Sequence, residues 1–374
     1  MKLPASADET EPLTADSGDL TPAAAAVLSG ATHAFDTSIT AHDVALTELR
    51  RLVSVWRKHE PGARLGQDPE ELHQLRVTAR RIDATLALFK RQLPAPLVRA
   101  RKTAKAVLRS LGAARDLDVQ LSELARYCAE LPEHERAAAE PLRALLESER
   151  GRARARLVRT LDSEPTRRWL ETLTVAGAER GAMNGADRAM LVMPERVRRR
   201  FRKLRKSVDK LRRKSSMEDY HLVRRRAKQL RYATECGAAM FGKPADDLLR
   251  ALRRLQDQLG AHQDAYMAQN RLAAIAADPS SGLPPATLFL MGRLSEHQAQ
   301  ATAQARRTFA RSWRKVRGRR WKALRARLRE LREGAKAANG AGAAPEDAPP
   351  EVLAPTDAAV TSEAPEPESR PVKH

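Results

Sequence analysis

Two stretches of the 374-residue chain resemble each other: HQLRVTARRIDATLALF at residues 73–89 and HLVRRRAKQLRYATECG at residues 221–237. Each begins with a histidine and has basic residues three and seven positions later. In each, apolar residues recur at helical spacing on a separate stripe, which indicates an amphipathic helix. A shift of 148 residues superposes His73 on His221, Arg76 on Arg224 and Arg80 on Lys228. The sequence therefore predicts one basic helix that occurs twice.

The similarity extends well beyond these two helices. The same shift, without a gap, aligns LGAARD at residues 111–116 with LGAHQD at residues 259–264 and pairs Asp116 with Asp264. An ungapped match from about residue 49 to about residue 119 indicates a tandem duplication. Apolar spacing is helical throughout residues 31–333, and no alternating strand pattern occurs. We therefore predict an all-α domain with a first copy at about residues 31–180, a second at about 181–333, and about four helices in each.

The ends of the chain differ in composition from this middle. Residues 1–30 and 334–374 are rich in Pro, Ala and acidic residues, which is typical of disordered segments. Within the domain, PGARLGQDPEE at residues 61–71 is predicted to end the first long helix, with Asp68 and Pro69 starting the next. DSEPT at 162–166 and the region up to Pro194 are predicted to be further interruptions.

Charge points to a polyanionic partner. The net charge of the chain is +21, and because residues 1–30 and 341–374 are acidic, the residues between them have a net charge of +30. Arginine predominates, and its planar guanidinium matches phosphate oxygens. Two cysteines, the lack of an apolar run of membrane-spanning length and a start unlike a signal peptide predict a cytoplasmic protein that does not enter a membrane.

The basic positions lie on helical arcs beside the apolar stripes. On a helical wheel His73, Arg76 and Arg80 share one arc, and Lys102, Lys105 and Arg109 share another on the following helix. Asp116 and Asp264 lie near these arcs and are predicted to hold basic side chains by salt bridges. The residues predicted to bind phosphate are His73, Arg76, Arg80, Arg81, Lys102, Lys105, Arg109, His221, Arg224, Arg225, Lys228, Arg231, Arg250 and Arg253.

The pattern H-x-x-R-x-x-x-[RK], followed by L-G-x-x-x-D, resembles the CHAD domain (conserved histidine α-helical domain). Both copies of both motifs occur, and the resemblance covers most of residues 35–330. It implies two four-helix bundles related by a pseudo-two-fold axis, binding of inorganic polyphosphate without catalysis, and association with polyphosphate granules. One position departs from the pattern: Asp83 stands where the second copy has Arg231. We expect Asp83 to pair with Arg76 or Arg80, so that the second copy binds phosphate more strongly.

Two other classes of function remain as alternatives. Non-specific nucleic-acid binding shares the charge pattern, although aromatic residues at 4% are scarce for base stacking. An accessory or regulatory role beside polyphosphate-metabolising enzymes is also compatible. Catalysis is not expected, because the chain has no phosphate-binding glycine loop and its histidines lack metal-ligand spacing. No metal and no cofactor is predicted. The acidic C-terminal tail is expected to compete for the basic groove.

Overall fold

The computed structural model describes residues 39–176, 188–212 and 214–341 of the chain. Within these ranges the regular secondary structure is helical, apart from one isolated bridge between Thr40 and Arg188. The prediction of an all-α fold is confirmed. The predicted N-terminal tail, most of the C-terminal tail and the junction between the two copies lie outside the described residues.

Twelve α-helices occur in the described residues. In chain order, α1 to α12 are Ala41–Leu65, Pro69–Leu88, Ala95–Ala129, Glu133–Arg136, Glu140–Asp162, Glu164–Ala176, Ala189–Val208, Met217–Cys236, Ala238–Phe241, Lys243–Ala276, Pro285–Lys315 and Trp321–Ala341. We call residues 39–176 the first half and residues 188–341 the second half.

Capping residues set the start of the helices that carry the two histidine motifs. The Asp68 carboxylate accepts the Glu70 backbone N–H at 2.8 Å, and Pro69 occupies the first helical position of α2, as predicted. At the start of α8, Ser216 and Asp219 bond each other's backbone N–H groups in a capping box. Both helices therefore begin four residues before their histidine.

The predicted break within residues 61–71 is confirmed, although Pro61 does not cause it, whereas Pro194 does not interrupt the chain as predicted. Helix α1 continues through Pro61 and ends at Gly66, whose φ of 77° closes the helix with an N–H bond to the Gly62 carbonyl. Pro194 lies inside α7, which already begins at Ala189. A proline in the middle of a sequence pattern therefore did not mark a helix end here, whereas the glycine in the left-handed conformation did.

Helix starts and packing partners recur between the halves. Helices α7, α8 and α10 begin 148 residues after α1, α2 and α3. In the first half α2 packs on α1 and α3, α5 packs on α3, and α6 packs on α1 and α3. In the second half α8, α11 and α12 contact the corresponding helices in the same way. The last long helical segment is broken in both halves. The break at Ser163, between α5 and α6, confirms the interruption predicted at residues 162–166, and the π-helical segment Val316–Arg320 separates α11 from α12.

The predicted apolar stripes form the core. Leu75, Ile82, Leu86 and Phe89 of the first motif are buried, as are Val223, Ala227 and Leu230 of the second. On α7, Phe201 stacks on Trp321 of α12 with ring centroids 3.6 Å apart. Helix α12 extends to Ala341, beyond the predicted tail start at residue 334, because Ala335 is still packed in the core. Because the apolar stripes pack in the core, the basic arcs of the same helices face away from it.

Candidate anion-binding site

Charged side chains from both halves meet where α2 packs against α8. Arg76 on α2 is close enough to Arg224 on α8 and to Asp264 on α10 for each charge to shift its pKa. Arg76 Nη2 also lies 3.4 Å from Asp116 Oδ1 on α3. We call the group of side chains linked in this way the central cluster: Arg76, Arg80, Asp116, Arg224, Lys228 and Asp264.

Positive charge is in excess in the central cluster. Burial, together with the charges of Arg80 and Arg224, lowers the pKa of Arg76 to about 10, and Asp116 and Asp264 offset this only in part. A guanidinium that is disfavoured in this way gains from any anion that approaches it. The central cluster therefore favours the approach of negative charge.

Solvent reaches both aspartates of the central cluster. The Asp116 side chain is 62% exposed, and Asp264 is also exposed. Desolvation nevertheless raises the pKa of Asp264, against the lowering effect of Arg224, Arg76 and Lys228. The protein around Asp264 therefore disfavours its charged form, although the carboxylate remains accessible.

Two long helices extend this positive surface from the central cluster. Helices α3 and α10 pass Gly112 and Gly260 without interruption, so the aspartates keep helical spacing with the basic residues upstream of them. Residues 7, 11 and 14 positions apart lie on one face of a helix, and Arg109, Lys105 and Lys102 precede Asp116 by these intervals. The four residues therefore share one face of α3 over a length of about 21 Å. On α10, Arg253 and Arg250 precede Asp264 by 11 and 14 positions and so share its helix face. These residues are exposed except Arg253, which is half-buried.

We call the full set the basic surface. It consists of His73, Arg76 and Arg80 on α2; Lys102, Lys105 and Arg109 on α3; His221, Arg224, Arg225 and Lys228 on α8; and Arg250 and Arg253 on α10. His221 and Arg225 are exposed, while His73, Arg80, Arg224 and Lys228 are half-buried. Arg250 has an ion-pair partner, Asp247, on its own helix. That all of these side chains bind one ligand remains a prediction.

The two glycines of the L-G-x-x-x-D motif lie under the arginines of the central cluster. A Cβ added at Gly112 would lie 3.9 Å from Nε of Arg76, and one added at Gly260 would lie 3.3 Å from Nη2 of Arg224. The absence of a side chain at Gly260 therefore gives the Arg224 guanidinium room beside the helix, whereas Arg76 would have room beside an alanine at position 112 as well. Both glycines lie inside continuous helices and do not form a phosphate loop.

The shorter distance at Gly260 predicts different effects on binding for two matched alanine substitutions. Gly112→Ala adds ordinary van der Waals contact, so we expect unchanged polyanion affinity and a gain in stability of about 0.5–1 kcal/mol from helix propensity. Gly260→Ala forces the Arg224 guanidinium to move by a few tenths of an ångström, and we expect several-fold weaker binding. Calorimetric titration and thermal unfolding of both variants test this; equal affinities would contradict the steric role of Gly260.

Arg231 does not lie on the basic surface, although it was predicted to bind phosphate. Its side chain is 1% exposed, and its Nε lies 3.7 Å from Oε1 of Glu235 one turn later. Arg81 of α2, at 12% exposure, pairs with the other oxygen of the same carboxylate at 3.7 Å. The packing of α8 against α2 covers this end of the arc. The prediction for Arg231 is therefore wrong, and the deeply placed Arg81 is an interface residue.

The expected role of Asp83 is also wrong. Its carboxylate accepts a hydrogen bond from Nε of Arg101 on α3 at 2.7 Å, rather than pairing with Arg76 or Arg80. Because Asp83 does not neutralise the first motif and Arg231 does not add to the second, both reasons for expecting a stronger second copy are removed.

Gln263 is a residue of the site that sequence reasoning missed. Its Oε1 lies 3.0 Å from Nδ1 of His221 and accepts a hydrogen bond from Nη1 of Arg224 at 3.3 Å. The equivalent residue in the first half is Arg115, so the difference between the copies was the available signal. Gln263 fixes the relative position of two predicted phosphate-binding side chains.

The described residues contain no cluster of three or more His, Cys, Asp or Glu side chains arranged to hold a metal ion. Nor does any helix in the described ranges have both the length and the apolarity needed to span a bilayer.

Known families and structures resemble this chain. The CHAD domain family model matches residues 47–273. PptA from Streptomyces chartreusis superposes with a TM-score of 0.59 at 21% identity, covering 74% of this chain and 100% of that chain. The crystal structure of the CHAD domain from the plant Ricinus communis gives 0.54 at 22% identity, covering 80% and 95%. At these identities the two structures establish the fold alone. No curated protein matches the chain.

Proposed function

The chain belongs to the CHAD domain family, and on that premise we propose that it binds inorganic polyphosphate on the basic surface without transforming it. The observation that carries the proposal is the central cluster, in which Arg76, Arg224 and Lys228 meet from two separate helices. A linear polyanion has closely spaced charges, and cations contributed by four helices would line its path.

The proposal includes the arrangement of the two halves. Equal spacing of helix starts and the recurrence of packing partners support two four-helix bundles related by a pseudo-two-fold axis. The axis would run near the contact of α2 with α8, so that each half supplies an equivalent histidine and arginine to one groove. We further propose a cytoplasmic location on polyphosphate granules, where such a groove would anchor the protein.

Competition between polyphosphate and duplex DNA for the purified full chain tests this function. At near-physiological salt we expect polyphosphate of matched charge to displace DNA, and we expect affinity to fall steeply with salt, by about 0.7–0.9 log units per log unit of salt for each phosphate engaged, by analogy with nucleic acids. A preference for DNA would instead favour the nucleic-acid alternative.

The raised pKa of Asp264 predicts that binding tightens in mild acid. Because burial favours the neutral carboxyl, lowering the pH protonates Asp264 earlier than an ordinary aspartate and removes one negative charge from the central cluster. We expect affinity to be higher at about pH 5.5 than at about pH 7.5. Titration calorimetry at both pH values measures the change.

Asp264→Asn is the matched variant for this effect, since its amide is neutral at both pH values. It should bind more tightly at the higher pH and show a smaller change on acidification. An Asp264→Asn protein with the full wild-type pH dependence would contradict the role of the carboxylate.

A further inference from the structure

A cleft of about 410 Å³ opens between the N-terminal part of α8 and the middle of α10. It adjoins the basic surface, because His221 and Arg225 belong to both. The residues that line it are Met217, Glu218, His221, Leu222, Arg225, Gln263, Tyr266 and Met267. Its volume falls within the range of small-molecule sites.

The two ends of the cleft differ in chemistry. Gln263 on α10 is level with His221 on α8, since the two side chains are 3.0 Å apart. One turn further along α10 lies Tyr266, and one turn back along α8 lies Met217, so these two residues line the end remote from Arg225. The cleft is thus cationic towards the central cluster and aromatic and apolar at its far end.

Inorganic phosphate does not account for the far end. A phosphate chain has no apolar part, yet Tyr266 and Leu222 are half-buried there and the Met267 side chain is 54% exposed. Glu218 at this end would repel phosphate, whereas its carboxylate can accept a hydrogen bond from an amino or hydroxyl group. The lining fits a planar ring that carries such groups.

The first half has no equivalent cleft lining. The shift of 148 residues places Asp118 opposite Tyr266 and Val77 opposite Arg225. Asp118 is buried and accepts a hydrogen bond from Nε of Arg150 at 2.6 Å. The aromatic and apolar lining is therefore a property of the second half alone, although His221 and the adjacent Arg224 have equivalents, His73 and Arg76, in the first half.

We propose that this cleft binds the base and sugar of a nucleoside triphosphate whose phosphates lie on His221, Arg224 and Arg225. The proposal rests on the proposed phosphate binding of the basic surface. The base would stack on Tyr266 between the methionine side chains, since base–aromatic stacking tolerates any base. Glu218 would accept a hydrogen bond from the base or the ribose.

The test compares ATP with inorganic tripolyphosphate, which has the same number of phosphates and no base. Titration calorimetry on the full chain would use the wild type, Tyr266→Ala and Tyr266→Phe. We expect Tyr266→Ala to weaken ATP binding by about 5- to 150-fold, to leave tripolyphosphate binding unchanged, and Tyr266→Phe to retain most of the ATP affinity. Val119→Ala, at the first-half position equivalent to Met267, serves as the control and should leave both affinities unchanged.

The outcomes separate this proposal from the proposed function. If tripolyphosphate binds the wild type and ATP affinity does not depend on Tyr266, the nucleotide site is wrong and phosphate binding stands. Equal losses for both ligands in Tyr266→Ala would also overturn the nucleotide site. If neither tripolyphosphate nor longer polyphosphate binds the wild type, the proposed function itself fails. Thermal unfolding of each variant checks that substitution of the half-buried Tyr266 leaves the fold intact.

Discussion

The double substitution Arg76→Met, Arg224→Met is expected to reduce polyphosphate affinity by at least about 100-fold. Each arginine would make a charge-assisted hydrogen bond worth about 1.5–3 kcal/mol, so that two together exceed about 3 kcal/mol. Methionine retains the apolar stem of arginine and removes only the charged head, which preserves packing. Titration with polyphosphate of fixed length at near-physiological salt measures the loss.

The same variant should be as stable as the wild type, or more stable, without ligand. Because burial and like charges lower the pKa of Arg76 to about 10, its charge opposes folding at neutral pH. The free-energy cost of folding with Arg76 charged is fully present below about pH 10. It decreases only as the pH rises above this value towards the higher pKa of arginine in the unfolded chain. Differential scanning calorimetry of the free proteins therefore distinguishes loss of binding from loss of fold.

A charge-matched control is available on α6. Arg167 and Arg168 are exposed, and both pair with Glu164, so Arg167→Met, Arg168→Met removes the same net charge away from the central cluster. We expect this control to change affinity by no more than about twofold to threefold, through long-range attraction alone. If both double variants lose affinity equally, overall charge and not the central cluster determines binding.

Acidification is expected to destabilise the fold through His262. This residue is 2% exposed, its Nε2 accepts a hydrogen bond from Nε of Arg306 at 2.9 Å, and its ring lies 4.6 Å from that of Tyr220. Burial and the charge of Arg306 lower its pKa to about 4. The neutral imidazole accepts the arginine hydrogen bond that joins α10 to α11, and protonation removes that acceptor.

The direction of the effect follows from the pKa. The folded-state pKa lies below the unfolded-state value of about 6.5, so the unfolded chain takes up the proton first. The stabilising contribution is complete above about pH 6.5 and is lost as the pH falls to about 4, by roughly 3 kcal/mol at most. Urea unfolding of the wild type and His262→Gln across this range should show a stability difference that shrinks in acid. His134→Gln, at an exposed site, should keep the wild-type profile; a constant difference for His262→Gln would contradict the prediction.

The sequence predicted the parts of the site that depend on helical spacing alone. The two motif arginines, the two motif aspartates and the apolar stripes beneath them lie where a 3.6-residue period places them, because α2, α3, α8 and α10 are continuous helices. Arg231 and Asp83 were misjudged for the opposite reason. They lie at the edge of an arc, where a neighbouring helix decides burial and pairing. Glu235 is one turn from Arg231 and so was available from spacing, but the burial of the pair was not, and the partner of Asp83, Arg101, lies on a different helix.

The cleft beside Tyr266 shows a second limit of sequence reasoning. The basic surface was predicted from residue types that occur in both motif stretches. Positions at which the two stretches differ were not considered. Gln263 and Tyr266 both replace charged residues of the first half. Differences between positions related by the 148-residue shift point to properties that belong to one half, and here Gln263 and Tyr266 lie one turn apart on α10.

Glu235 links the two halves asymmetrically. Its carboxylate lies between Arg81 from the first half and Arg231 from the second, and the 148-residue shift places Ala87 opposite Glu235 and Asp83 opposite Arg231. The second half contains both Arg231 and Glu235 and so retains this ion pair by itself. The first half has alanine at the position equivalent to Glu235, so its largely buried Arg81 takes its carboxylate from the second half. A first half produced alone would lack that carboxylate, and the dependence between the halves therefore runs in one direction.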